Sequence, residues 1–329
     1  MSFPITAEEV LAVKRPEDLF PGTIEEGKVL FRDLARRWHP DHGGSDTVFA
    51  HINWLKDEAF RKIGDKTWGG KSVIRIESVE KVAYQIQYLR SRPFDFGHMY
   101  IGETQVIWMF DPDHRDLATG IEGLEKMYQF GSDRMKTDII RSLPQDIKVI
   151  RCDDEKVMVR VPKAAGLLSL TDVLSHLGGK LDPKHAAWIG SALHNLACWL
   201  SYSSLVHGDI TTDNVCIDPA DHSLALLGGW WFSARAGASI SKVSARTYDY
   251  LPYKVKVQKK ADPLTDSELI RVIILELLNG GGDDVLKAWL QRPAAGTAAQ
   301  IYKAWHKLLE DVFGKRHFTK WELKQEDIY

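Results

Sequence analysis

The sequence predicts a multidomain α+β protein: a small all-α unit, then a lobe built on a sheet, then a larger helical lobe. Three observations predict this. The chain has 329 residues, more than one hydrophobic core normally organises. A polar, glycine-rich stretch, GDKTWGGKS at 64–72, interrupts it. The hydrophobic period changes from helical before that break to partly alternating after it, and back to helical from about Leu167. The boundaries expected are 1–64 for the first unit, 65–72 for a linker, 73–163 for the sheet lobe and 164–329 for the helical lobe.

In the first unit, Phe31, Leu34 and Trp38 share one face of a helix from Ile24 to Trp38. Phe49, Ile52, Leu55, Ala59 and Ile63 do the same over Asp46 to Ile63. His39-Pro40-Asp41-His42-Gly43-Gly44 lies between them, and its proline and paired glycines must break the helix. In the second region, Ser72–Val79, Lys81–Ser91, Gln105–Phe110, Ile147–Cys152 and Lys156–Pro162 read as strands of a roughly five-stranded sheet, with a helix expected over Asp116–Phe130. Pro183–Ser203, Ser267–Leu278 and Ala298–Phe313 read as helices of the third region, with Pro183 suited to a helix start.

Composition narrows the function classes. Forty-three Lys+Arg against 45 Asp+Glu leave a formal charge of −2, so no global basic field holds nucleic acid or an anionic membrane. Cys152, Cys198 and Cys216 lack metal-ligand spacing and are too few for a disulfide framework. The first twenty residues lack the apolar core of a signal peptide, and the longest apolar runs are too short to span a bilayer. A cytoplasmic protein is expected.

The helix, His39-Pro40-Asp41 loop and second helix together resemble a J domain over about residues 5–63. The resemblance implies a partner, a DnaK-class ATPase chaperone that the domain recruits and stimulates. Lys28, Arg32 and Arg36 fall at i, i+4, i+8 on one stripe, with Arg37 beside it. Such a stripe can steer an acidic partner. Asp41 offers an acceptor for a partner arginine, Pro40 fixes the turn, and His39 positions the loop. Glu25, Glu26 and Asp33 dilute the basic face, and the small last helix of many J domains has no counterpart in the sequence.

His207-Gly208-Asp209-Ile210-Thr211-Thr212-Asp213-Asn214 resembles the catalytic loop of protein kinases. Tyr248–Tyr253 resembles the end of an activation segment, and Asp266 opens an apolar helix as an aspartate does in the kinase large lobe. This implies a bilobal protein-kinase-like fold over about 73–318, with a five-stranded small lobe and a helical large lobe. Two catalytic parts are missing. No lysine occurs from Val82 to Glu125, and no aspartate from His222 to Tyr248, where the metal-binding string reads Leu227-Gly228-Gly229-Trp230. Arg92 to Gly102 stands as a degraded glycine-rich loop with bulky Phe, His and Met. Asp209 and Asn214, with Glu122 or Glu125, are what remains of the machinery.

A J-domain co-chaperone with a catalytically dead kinase-like module that binds a client or scaffolds an assembly is therefore expected, with no cofactor. The alternative is an atypical phosphotransferase or nucleotide-binding switch using Asp209 and Asn214, and only then are ATP and Mg²⁺ implied. A third possibility gives both modules purely structural roles. Trp230-Trp231-Phe232 reads as core, and the basic run Lys254 to Lys260 as a solvated loop.

Overall fold

A computed structural model describes residues 6–65, 68–69 and 72–329; much of the expected linker lies outside them. The first unit is α1 (Ala7–Ala12), α2 (Ile24–Trp38) and α3 (Asp46–Gly64). Thr23 caps α2 by accepting from the Glu26 amide, and Ser45 caps α3 by accepting from the Val48 amide. Between them Pro40–His42 makes a single tight turn that ends on Gly43 at φ 82°. Gly44 has no alternative, since a Cβ there would lie 2.1 Å from the Trp38 carbonyl oxygen. Val10, Phe20, Leu34, Val48, Ile52, Leu55 and Ala59 form the unit's own core. Phe31, Trp38 and Phe49 are half-buried at its margin.

The sheet region differs in detail from expectation. β1 (Val73–Glu77) and β2 (Ala83–Gln87) form a separate antiparallel hairpin. The five-stranded sheet consists of β3 (Arg90–Phe94), β4 (Gly97–Ile101), β5 (Gln105–Phe110), β6 (Lys148–Arg151) and β7 (Val157–Pro162), in the order β3-β4-β5-β7-β6. The expected strand Lys81–Ser91 is thus two strands in two sheets. The expected degraded glycine-rich loop, Arg92 to Gly102, is mostly the tight β3–β4 hairpin. Pro93 is tolerated there because β3 is an edge strand. Ile74, Ile86 and Tyr88, from the hairpin and the segment just after it, cover the outer sheet face over Ile107, Met109 and Met158.

The helix expected over Asp116–Phe130 is also corrected. Only α4 (Arg115–Ala118) and two short 3₁₀ turns lie there, because Gly123 sits at φ 76° and stops propagation. α5 (Asp133–Ile140) follows, started by Ser132 accepting from the Met135 amide.

The helical lobe runs β8 (Leu168–Ser169), α6 (Leu170–His176), α7 (Pro183–Tyr202), β9 (Leu205–Val206), β10 (Val215–Asp218), β11 (Ser223–Leu226), β12 (Ala234–Arg235), α8 (Ala245–Tyr248), α9 (Tyr253–Gln258), α10 (Leu264–Leu278), α11 (Asp284–Leu290), α12 (Ala298–Phe313) and α13 (Gln325–Ile328). α7 is central, with Ala186, Ile189, Leu193, Leu196, Ala197 and Leu200 all buried. A single apolar cluster joins this lobe to the inner face of the five-stranded sheet. No described helix is long and apolar enough to cross a membrane.

His194 on α7 is buried between Trp289 and Trp305, and burial pulls its pKa down to about 3. A folded pKa below the unfolded value of 6.5 means the stability it contributes is present above that value and is lost as pH falls toward 3. His194→Leu should therefore remove about one proton from the pH dependence of unfolding between those limits, about 1.4 kcal/mol per pH unit. Urea titrations at several pH values read this directly; parallel curves for the two proteins would refute it.

Candidate functional site

Two candidate sites come from the sequence, and the structure places them on different units. At the first, Asp41 is exposed at 84% and His39 is half-buried, its Nδ1 3.5 Å from the Asp41 carboxylate. The His39 Nδ1 accepts the Asp41 backbone N–H at 3.2 Å, and its ring meets Phe49 edge-on at 4.7 Å. His39 therefore braces the loop, and Asp41 projects from it. Lys28, Arg32, Arg36 and Arg37 are all exposed along α2. Among the described residues Arg36 pairs with the exposed Asp33 at 3.6 Å, and Arg37 lies over Trp38 at 5.3 Å. An exposed pair of that kind contributes little and leaves the cation available.

At the second, His207 is fully buried, accepts the Asp209 N–H on Nδ1 and donates from Nε2 to the Gly228 carbonyl at 2.9 Å. That donor and acceptor pattern fixes a neutral tautomer, and burial holds its pKa near 3. Asp266, at the start of α10, accepts the His207 N–H at 2.9 Å and the Gly208 N–H at 2.8 Å. The core helix thus clamps the loop backbone. Burial pushes the Asp266 carboxyl up to about 7 despite those two bonds.

Asp209 and Asn214 are brought together. The Asn214 amide donates to the Asp209 carboxylate at 2.9 Å and to its carbonyl at 2.7 Å. Burial raises the Asp209 pKa to about 7, opposed by hydrogen bonding from Ser244 and Asn214. The amide nitrogen of Asn214 is thus committed to Asp209, while its oxygen lies against Gly228.

The space opposite is packed. A Cβ on Gly228 would lie 2.4 Å from Asn214 Oδ1 and 2.7 Å from Trp108 Cζ2. Trp108 meets Trp231 at 5.6 Å, and Trp231 meets Phe110 at 5.0 Å. Phe94 and Phe96, flanking the β3–β4 turn, fold down onto Phe110, with Phe94 reaching Trp231 at 6.1 Å and Phe96 reaching Phe232 at 5.7 Å. These rings form one plug between sheet and helical lobe. Lys163, buried where the chain crosses between lobes, donates to the carbonyls of Glu103 at 2.7 Å and Leu167 at 2.8 Å. Glu122 and Glu125 are exposed on the broken turns, and Glu125 accepts the Ile147 amide instead of facing the loop. Among the described residues no group of His, Cys, Asp and Glu is arranged to hold a metal ion.

Sequence reasoning missed the polar ties around this core. Arg92 on β3 pairs with Asp172 at 2.6 Å and Asp213 at 3.2 Å, and Tyr329 donates to Asp172 at 3.1 Å. It also missed Glu58 on α3, which accepts the Tyr88 hydroxyl at 2.7 Å, the Ser91 hydroxyl and the Arg61 guanidinium at 2.8 Å. No local pattern marks such residues, because their partners lie far along the chain.

No protein-family model and no curated protein matches the chain. Among solved structures it is similar to vaccinia related kinase 3, with a TM-score of 0.49 and 13% identity over 72% of this chain and 90% of that one. It is also similar to ROP2 from Toxoplasma gondii, described as a virulence factor with a protein-kinase fold and no enzymatic activity. That likeness has a TM-score of 0.47 and 15% identity over 87% of this chain and 90% of that one.

Proposed function

We propose that the chain is a J-domain co-chaperone whose kinase-like part is a binding or scaffolding module without phosphotransfer activity. The observation that carries the reading is a contrast between the two sites. On the first unit every residue expected to meet a DnaK-class chaperone faces solvent: Asp41 at the loop tip and the Lys28, Arg32, Arg36 and Arg37 stripe beside it. At the second, the kinase resemblance asks for a lysine near β5 and a metal-binding aspartate near Gly228, the sequence has neither in those stretches, and aromatic rings occupy the space between the lobes. A polyphosphate there would meet apolar surface with no cation to offset its charge, a loss of several kcal/mol of electrostatic stabilisation. The kinase-like module then presents a client or anchors the co-chaperone in an assembly.

Single-turnover ATP hydrolysis by a DnaK-class chaperone tests this. The wild-type chain should accelerate it, and Asp41→Asn should cut the acceleration by about tenfold or more, the cost of one charge-assisted hydrogen bond. Lys28→Glu with Arg32→Glu should weaken it in a salt-dependent manner. No acceleration by the wild type, or equal acceleration by Asp41→Asn, rejects the co-chaperone reading.

A further inference from the structure

A groove of about 1100 Å³ runs along the helical lobe, away from both sites. It is bounded by the end of α5, the start of α7, the end of α12 and the segment after it. Five cations line it: Lys307, which pairs with Asp311 at 3.6 Å, and Arg141, Lys184, Lys315 and Arg316. None of the last four has a carboxylate within ion-pair distance among the described residues. Against them stand two lining carboxylates, Asp221 and Glu310. A chain with a net charge of −2 therefore concentrates unpaired positive charge in one concave place.

Flat rings accompany the charge. Trp188 and His222 stack at 4.6 Å with planes 6° apart, and His222 stacks on Phe318 at 4.2 Å and 26°. Phe318 ends the stack and is 60% exposed, so its outer side is free to take one more ring. The Trp188 indole N–H is buried and has no acceptor among the described residues.

We infer that this groove binds a nucleotide, its base stacked on Phe318 and its phosphates held by Lys184, Arg316 and Arg141. Stacked rings beside cations are the recognition chemistry of a phosphate-bearing heteroaromatic ligand. The volume exceeds what a mononucleotide fills, so the same chemistry can come from free nucleotide or from the end of a single-stranded nucleic acid. This inference does not rest on the co-chaperone reading.

The test is calorimetric titration of the full chain with ATP in the absence of magnesium, then with adenosine, pyrophosphate and a short oligothymidylate. ATP should bind, with adenosine and pyrophosphate each about tenfold weaker or worse, because each lacks one of the two contacts. The Lys184→Glu, Arg316→Glu double variant should weaken ATP by about tenfold or more. Both positions are exposed, and Lys184 lies in the first turn of α7, where a glutamate suits the helix dipole. An unchanged thermal midpoint should therefore accompany the loss. Oligothymidylate binding tighter than ATP assigns the groove to nucleic acid, and weaker binding assigns it to free nucleotide. The inference is overturned by no binding at millimolar ATP, by adenosine or pyrophosphate matching ATP, by a double variant that binds as well as wild type, or by loss of binding in Asn214→Ala, which would place the ligand between the lobes.

Discussion

Gly228→Asp, which puts a carboxylate in the stretch where the kinase resemblance asks for a metal ligand, should unfold the helical lobe more easily and should not create a magnesium site. The added Cβ alone would sit 2.4 Å from Asn214 Oδ1 and 2.7 Å from Trp108 Cζ2. Neither neighbour can yield cheaply. Asn214 is held by two hydrogen bonds to Asp209, and Trp108 is 2% exposed and packed on Trp231. Overpacking of this kind costs about 1–3 kcal/mol. The new carboxylate would then be buried against Asn214, which already holds Asp209, a carboxyl pushed up to about 7 by burial, with no cation supplied by β5. An unpaired buried charge adds several kcal/mol. A total of about 3–5 kcal/mol is expected in urea unfolding, with Gly228→Ala losing only the overpacking share. Magnesium and ATP should leave the melting temperature of Gly228→Asp where it was. A variant as stable as wild type, or one that gains a magnesium-dependent shift, would mean that the space between the lobes is an idle nucleotide site and not a packed core.

The helices were the legible part of this fold, and the reason is burial on one face. α7, α10 and α12 each repeat apolar residues at helical spacing, and each lies within a residue or a few of where that spacing puts it. The sheet was half legible. Gln105–Phe110 is buried almost throughout and reads as an apolar run, whereas Arg90–Phe94 is an edge strand containing two arginines and a proline, so neither alternation nor propensity marks it. Reading Asp116–Phe130 as one helix failed on Gly123 at φ 76°. A glycine's conformation depends on its surroundings and cannot be read from its letter. In the candidate sites, the exposed loop at His39–Asp41 and the pairing of Asp209 with Asn214 follow from local spacing. The plug does not, because Phe94, Phe96, Phe110 and Trp231 meet only after the lobes close. Nor does the groove, since Arg141, Lys184 and Arg316 come from three distant segments.

Glu58→Ala should free the first unit from the sheet lobe. In sequence, Glu58 with Arg61 three residues on resembles an ordinary surface pair on a solvated helix. In the structure it is 5% exposed and serves as acceptor for Arg61, Tyr88 and Ser91 at once. The same junction holds Trp54, whose indole donates to the Ser91 carbonyl, and Arg90, whose guanidinium lies 4.3 Å over the Trp54 ring and 5.8 Å from the Tyr329 ring. Lys14 completes it by donating to the carbonyls of Glu326 at 2.6 Å and Asp327 at 2.9 Å. Removing the glutamate leaves two hydroxyls without their acceptor and Arg61 with Asp65 alone, at 2.7 Å. Each buried hydroxyl left unsatisfied costs about 1–3 kcal/mol. Because the first unit has its own core, that cost should fall on the junction. Calorimetry should resolve one transition in the wild type and two in the variant, with faster amide exchange along α3 and β3. Glu58→Gln, which keeps the shape and can still accept from Tyr88, should fall between. An unchanged single transition in Glu58→Ala would show that Trp54 and Lys14 suffice. On the proposed function, a chaperone engaged at Asp41 would be held at a set distance from whatever the second module binds, and only while this junction is closed. Glu58→Ala should therefore spare stimulation of chaperone ATP hydrolysis while weakening any client transfer that depends on that distance.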